Sequence, residues 1–171
     1  GMEFGNDPVM TASVVSACRK ATSKPIITKL SPNQSDIKKS AQACIDSGTD
    51  GLSVINTISG MAIDIEKKEP VLGNRAGGLS GPAINPIALL KLFDVFTVAQ
   101  KHNVPSLGQG GVSNANDAIE FILAGATTVG VGTALFFDPL VCSKINKGIT
   151  NYIEQQNLAS LEEMIGGAHA K

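Results

Sequence analysis

Val104-Pro105-Ser106-Leu107-Gly108-Gln109-Gly110-Gly111, followed one helix later by Thr128-Val129-Gly130-Val131-Gly132-Thr133, is the part of this sequence from which its fold can be read. Each stretch is a short apolar run ending in residues without bulky side chains, where backbone N–H groups can come close to an anion. Together they read as a phosphate cradle at two neighbouring strand ends. In a (β/α)8 barrel, the loops after the seventh and eighth strands are where a phosphate binds. Taken singly, Gly110-Gly111 and Gly132-Thr133 fit ordinary turn chemistry as well, and only their joint placement favours a ligand. The sequence has 171 residues, well short of the ~250 of a complete barrel.

Outward from this pair the sequence alternates. Asp7-Pro8 opens a helix running to about Lys20. Lys24 to Leu30 is a β-branched run that fits a buried parallel strand, unusual in carrying Lys29 near its end. Ser35 is placed to cap the next helix, with Ile37, Ala41, Cys44 and Ile45 on one stripe and Gly48 as its stop. Gly51 to Asn56 reads as the second strand. A loop of about 25 residues follows, from Thr57 to Gly81, long enough to mark a lid or binding loop. Pro82 to about His102 is the third long helix, 104–109 a strand, Asn114 to Leu123 a capped helix closed by Gly125, 128–132 a strand, and Asp138 to Gln156 the last helix. One helix followed by four strand–helix pairs predicts an α/β fold with parallel strands. Residues 1–171 then form a single half-barrel domain, equivalent to the fifth to eighth βα units. The carboxyl ends of its strands gather Lys29, Asn56, Gly110, Gly111, Gly132 and Thr133 on one face.

Composition narrows the function. The net charge is -1, with both signs interspersed, so no electrostatic footprint for nucleic acid or a membrane surface is expected. No apolar run approaches the ~18 residues of a membrane-spanning helix, and no signal-like segment opens the chain. Gly1-Met2 reads as a tag remnant ahead of an initiator methionine. Cys18, Cys44 and Cys142 lie far apart and read as buried packing residues; with His102 and His169, read as surface residues, they form no metal set. The chain is expected to be cytoplasmic and reduced. The run Asp64 to Glu69 reads as a solvated loop.

Lys29 either snorkels to the strand mouth or meets an anion there. Asn56-Thr57 either forms a turn or offers an amide and a hydroxyl to a planar polar heterocycle.

Five motifs resemble one family: Lys29-Leu30-Ser31-Pro32-Asn33; Ile55-Asn56-Thr57 with Gly60-Met61-Ala62-Ile63-Asp64; Gly77-Gly78-Leu79-Ser80-Gly81-Pro82-Ala83-Ile84; Gly108-Gln109-Gly110-Gly111-Val112; and Val131-Gly132-Thr133. The chain is similar, along its whole length, to the C-terminal half of class 1 dihydroorotate dehydrogenases, and among them to the NAD-linked class 1B catalytic subunit. The resemblance implies an FMN-dependent enzyme of pyrimidine biosynthesis that oxidises dihydroorotate to orotate. It implies that Lys29, Ile55, Gly81, Gly110, Gly111, Gly132 and Thr133 contact FMN, the last four around its phosphate, and that Asn56 and Thr57 hold orotate. A partner subunit carrying FAD and an iron–sulfur cluster is implied for the complete enzyme. Dihydropyrimidine dehydrogenase is the alternative family.

The family's catalytic cysteine base lies on a loop that this sequence does not contain, and neither Cys18, Cys44 nor Cys142 occupies its position. The chain alone is therefore expected to be inactive. Four parallel strands would leave open edges, which a homodimer could cover. A non-catalytic FMN- or phosphate-binding module, or an empty structural oligomer from a truncated gene, are the competing expectations.

Overall fold

The computed structural model describes residues 4–170, so Gly1 and Met2 lie outside it. Helix α1 (Pro8–Ala21) starts as expected, with the Asp7 carboxylate accepting from Met10 N at 2.8 Å. Strand β1 (Ile27–Leu30) leads to α2 (Ile37–Asp46). The cap of α2 is Asp36 rather than Ser35: its carboxylate accepts from Lys38 N at 3.1 Å, so the helix begins one residue later. Strand β2 (Gly51–Val54) follows.

The stretch 57–81 is not the structureless loop that the sequence suggested. It holds β3 (Ile58–Gly60), β4 (Ile63–Asp64), β5 (Glu69–Pro70) and β6 (Gly77–Leu79), in which β3 pairs antiparallel with β6 and β4 with β5. Strands of two or three residues are too short to show a period of two. The Asp64–Glu69 run is the solvated tip of the inner hairpin, where Asp64 accepts from the N–H groups of Glu66 and Lys67.

Helix α3 (Asn85–Ala99), β7 (Ser106–Gln109), α4 (Ala115–Leu123, capped by Asn114), β8 (Thr128–Gly130) and α5 (Val141–Gln155) complete the series. With its flanking turns, the helical stretch Pro82–His102 has 21 residues, and an 18-residue window of it reaches a mean hydropathy of 1.4, enough by length and composition to cross a membrane, contrary to the sequence expectation. Its apolar character has a local use. Ala88, Leu92, Val95 and Ala99 recur at helical spacing and are fully buried in the main core.

The main sheet is parallel, in the order β1-β2-β7-β8. Leu30, Val54, Gly108 and Val129 stand in one cross-strand row. This row faces the helices and packs with Ile37, Ala41, Leu92 and Phe121. Each such large side chain, fully buried, contributes about 1.5–3 kcal/mol. Gly108 makes room for this layer, since a Cβ there would lie 2.6 Å from the Phe121 ring. The neighbouring row, Lys29, Ser53, Leu107 and Thr128, points to the opposite side, where no second layer of helices exists among the described residues. An apolar hollow of about 620 Å³ lies there at the amino ends of the strands, bordered by Pro25, Ile27, Leu52, Pro105 and Leu107. This is half of a (β/α)8 barrel, open along its axis.

Two expectations about side chains are corrected. Only Cys44 is buried; Cys18 and Cys142 are exposed. The inward stripe of α1 runs through Thr11, Val15 and Arg19, and that of α5 through Val141 and Ile145, which turns both cysteines outward. Burial pushes the Cys44 thiol up to about 11, with a smaller opposing effect from its hydrogen bond with Thr28. Because the thiolate is the reactive form, an aromatic disulfide reagent at pH 8 should titrate two thiols in the native protein, and the third only after unfolding. Rapid reaction of all three would refute the burial of Cys44. The second correction is His169, which is no free surface residue: its ring stacks on Phe93 at 3.7 Å and its Nε2 lies 3.1 Å from the Ala124 carbonyl.

Candidate active site

The carboxyl ends of the four strands meet in one cleft of about 560 Å³, and all nine residues chosen from the sequence line it: Lys29, Ile55, Asn56, Thr57, Gly81, Gly110, Gly111, Gly132 and Thr133. Lys29 comes from β1, Ile55 to Thr57 from the end of β2, the glycine pair from β7, and Gly132-Thr133 from β8. Lys29 is exposed to the cleft, and no carboxylate pairs with it among the described residues. It is also the single ionisable side chain lining the cleft. A small positive field therefore sits over otherwise neutral walls.

The opposite end of the cleft is built from backbone. Gly110 and Gly111 have φ of +140° and +79°. A Cβ on Gly111 would lie 2.6 Å from the Gly81 carbonyl oxygen and 3.0 Å from Asn85 Cβ, so this turn can only be made without a side chain. The N–H groups of Gly110, Gly111, Gly132 and Thr133 donate to no acceptor among the described residues. Four free donors around one opening are the donor set a phosphate needs. A second hollow of about 600 Å³ shares Gly81, Gly111, Gly132 and Thr133, and continues over Val112, Phe137 and Asp138. Asp138 is held by Lys144 at 2.6 Å and by Leu140 N at 3.0 Å, and these bonds, the lysine first, keep its carboxyl below the usual carboxylate range. Its charge is thus matched locally.

Among the lining residues not chosen from the sequence, two carry polar side chains. Gln109 lies within a quoted motif, and strand alternation from Leu107 would have turned it inward; its Nε2 donates to Ile55 O at 3.2 Å. Ser80 accepts from the Thr133 hydroxyl at 3.0 Å, a contact across 53 positions of sequence that no local pattern announces.

The family model for dihydroorotate dehydrogenase matches residues 1–153. The chain is similar to proteins described as the catalytic subunit of dihydroorotate dehydrogenase B (NAD(+)): 52% identical to that of Trichlorobacter lovleyi, over 97% of this chain and 54% of the relative. For Geotalea uraniireducens the figures are 51%, 97% and 53%, and for Pelobacter propionicus 49%, 97% and 54%. The chain thus spans about half the length of the curated relatives it matches. Its fold is similar to that in a crystal structure of DHODH from Eimeria tenella in complex with ferulenol, with a TM-score of 0.79 at 21% identity, over 97% of this chain and 50% of that one.

Proposed function

The chain belongs to the dihydroorotate dehydrogenase family, on the side of its NAD-linked B-type catalytic subunits, and from that premise we propose that it forms the FMN phosphate cradle and part of the orotate site of an enzyme that oxidises dihydroorotate in pyrimidine biosynthesis. The observation that carries this reading is the convergence of all nine chosen residues in one cleft. Dihydropyrimidine dehydrogenase is the weaker alternative, because the relatives above are dihydroorotate enzymes.

Gly110, Gly111, Gly132 and Thr133 hold the phosphate through their free N–H groups. Lys29, at the other end, offsets negative charge on the ring. Bound FMN supplies the acceptor for a hydride from the substrate. Asn56 offers both a donor and an acceptor, and Thr57 a hydroxyl, to the polar edges of a pyrimidine. Held so, ring and substrate gain the orientation term of a bimolecular reaction.

Among the described residues that line the cleft, none carries a carboxylate, imidazole or thiol to accept the proton that must leave the neighbouring carbon. Cys44 is buried behind the sheet, and neither Cys18 nor Cys142 lines the cleft. The 171-residue chain by itself therefore binds without turning over. Its open face calls for a cover, which in isolation is a second copy laid against the outer edges of β1 and β8. The relatives being named catalytic subunits fits a further electron-transfer subunit with FAD and an iron–sulfur cluster.

One preparation tests this. FMN fluorescence should be quenched on titration with one equivalent of chain, light scattering should give twice the chain mass, and dihydroorotate with an artificial acceptor should give no turnover. Unquenched flavin would leave the empty structural oligomer as the better reading. Measurable turnover would disprove the missing base.

A further inference from the structure

Asn56 and Thr57 line the cleft, and their side chains have no hydrogen-bond partner among the described residues, while the backbone carrying them is tied down. Ile55 N donates to Gln109 O at 3.0 Å and Asn56 N to Leu30 O at 2.9 Å. Past that point the sheet has ended and no strand of it lies alongside. The side chain of Asn33 takes over: its Nδ2 donates to Thr57 O at 3.2 Å, and its Oδ1 accepts from Ser59 N at 2.9 Å. A residue in a parallel ladder bonds in this same way, to the carbonyl before and the N–H after its opposite number. The Asn33 carboxamide thus acts as one residue of a strand that is not there.

The splint is itself braced. Asn33 N donates to Ser31 Oγ at 3.2 Å, and that hydroxyl donates to Asn6 Oδ1 at 2.7 Å. From the far side β6 closes in, so tightly that a Cβ on Gly78 would lie 2.1 Å from Thr57 Oγ1. Thr57 is therefore set between Asn33 and Gly78.

We infer that Asn33 is the positioning residue for the substrate pair: it does not line the cleft itself, but it fixes the backbone that carries Asn56 and Thr57 along the cleft wall. This rests on reading the cleft as the orotate site. The serine and asparagine of Ser31-Pro32-Asn33 thereby acquire a use that neither the lysine before them nor the turn itself explains.

The test uses the 171-residue chain with orotate and FMN as separate probes, together with hydrogen exchange at the Ser59 amide. Asn33→Ala should speed Ser59 exchange at least tenfold and weaken orotate binding about tenfold, as loss of two bonds to a half-buried segment implies, while FMN affinity stays within about twofold. Asn33→Asp keeps the acceptor for Ser59 but loses the donor to Thr57. It should leave Ser59 protected and still weaken orotate. A general loosening would lower both affinities together, and that result, or unchanged orotate binding in both variants, overturns the inference. If the wild-type chain binds no orotate, the substrate reading is what fails, and Ser59 exchange in Asn33→Ala alone then supports or overturns the splint.

Discussion

Gly111→Ala should abolish FMN binding and destabilise the fold by about 2–4 kcal/mol, from a strained positive φ and a clash that no rotamer relieves. The backbone there has φ +79°, and the new methyl would meet the Gly81 carbonyl oxygen at 2.6 Å. Relief requires one of two backbones to move. If the 110–111 turn moves, its N–H groups leave the cradle; if Gly81 moves, the other rim of the same opening is displaced. Gly73→Ala is the matched control, because nothing lies within 4 Å of a Cβ at that position. Flavin titration and denaturant unfolding of both variants decide the matter. Wild-type affinity in Gly111→Ala would show that the cradle is not where the phosphate sits.

The second large effect concerns the scaffold and not the ligand. Gly125 follows α4 with φ +118°, and a Cβ there would lie 2.2 Å from Phe96 Cγ. The same ring lies 2.5 Å from where a Cβ on Gly166 would be, and 4.8 Å from the ring of His169. Phe96 is thus clasped between the turn before β8 and the C-terminal tail. Gly125→Ala should cost about 3–5 kcal/mol through combined strain and overpacking, a large share of the ~5–15 kcal/mol that holds a typical domain together. Phe96→Ala removes the obstacle but leaves a cavity. The double variant should therefore be less destabilised than the sum of the two singles, as expected for side chains competing for one space. Strict additivity in urea unfolding would mean that the two groups do not meet.

What could be read from the sequence was whatever depends on neighbours in the chain. The caps Asp7 and Asn114, the β-branched run into Leu30 and the glycine-ended strands all act locally, and parallel topology followed from their alternation. The site was legible for one further reason: carboxyl strand ends must converge in such a sheet, whatever their sequence separation. The failures share the opposite property. Cys18 and Cys142 needed the width of each helix's buried stripe, which packing sets. His169 needed the location of Phe93, 76 positions away, and Ser80 needed Thr133. The hairpins of 57–81 are held by pairings between segments individually too short to announce themselves. Asn33 was quoted for its place in a motif, yet its work lies with Thr57 and Ser59, across a strand and a helix.

In the main sheet the order of strands in space is their order in the chain. Yet the partners are far apart along it, Leu30 against Val54 and Val54 against Gly108, so the sheet is closed by long-range pairings, to which the 57–81 excursion adds only a slowly growing loop-closure cost. The cleft takes one edge from every strand of that sheet, so its glycine rim is complete only with β8 in place. Loss of any one strand would therefore open the whole cleft, whereas loss of β1 or β8 would take only one pairing from the sheet.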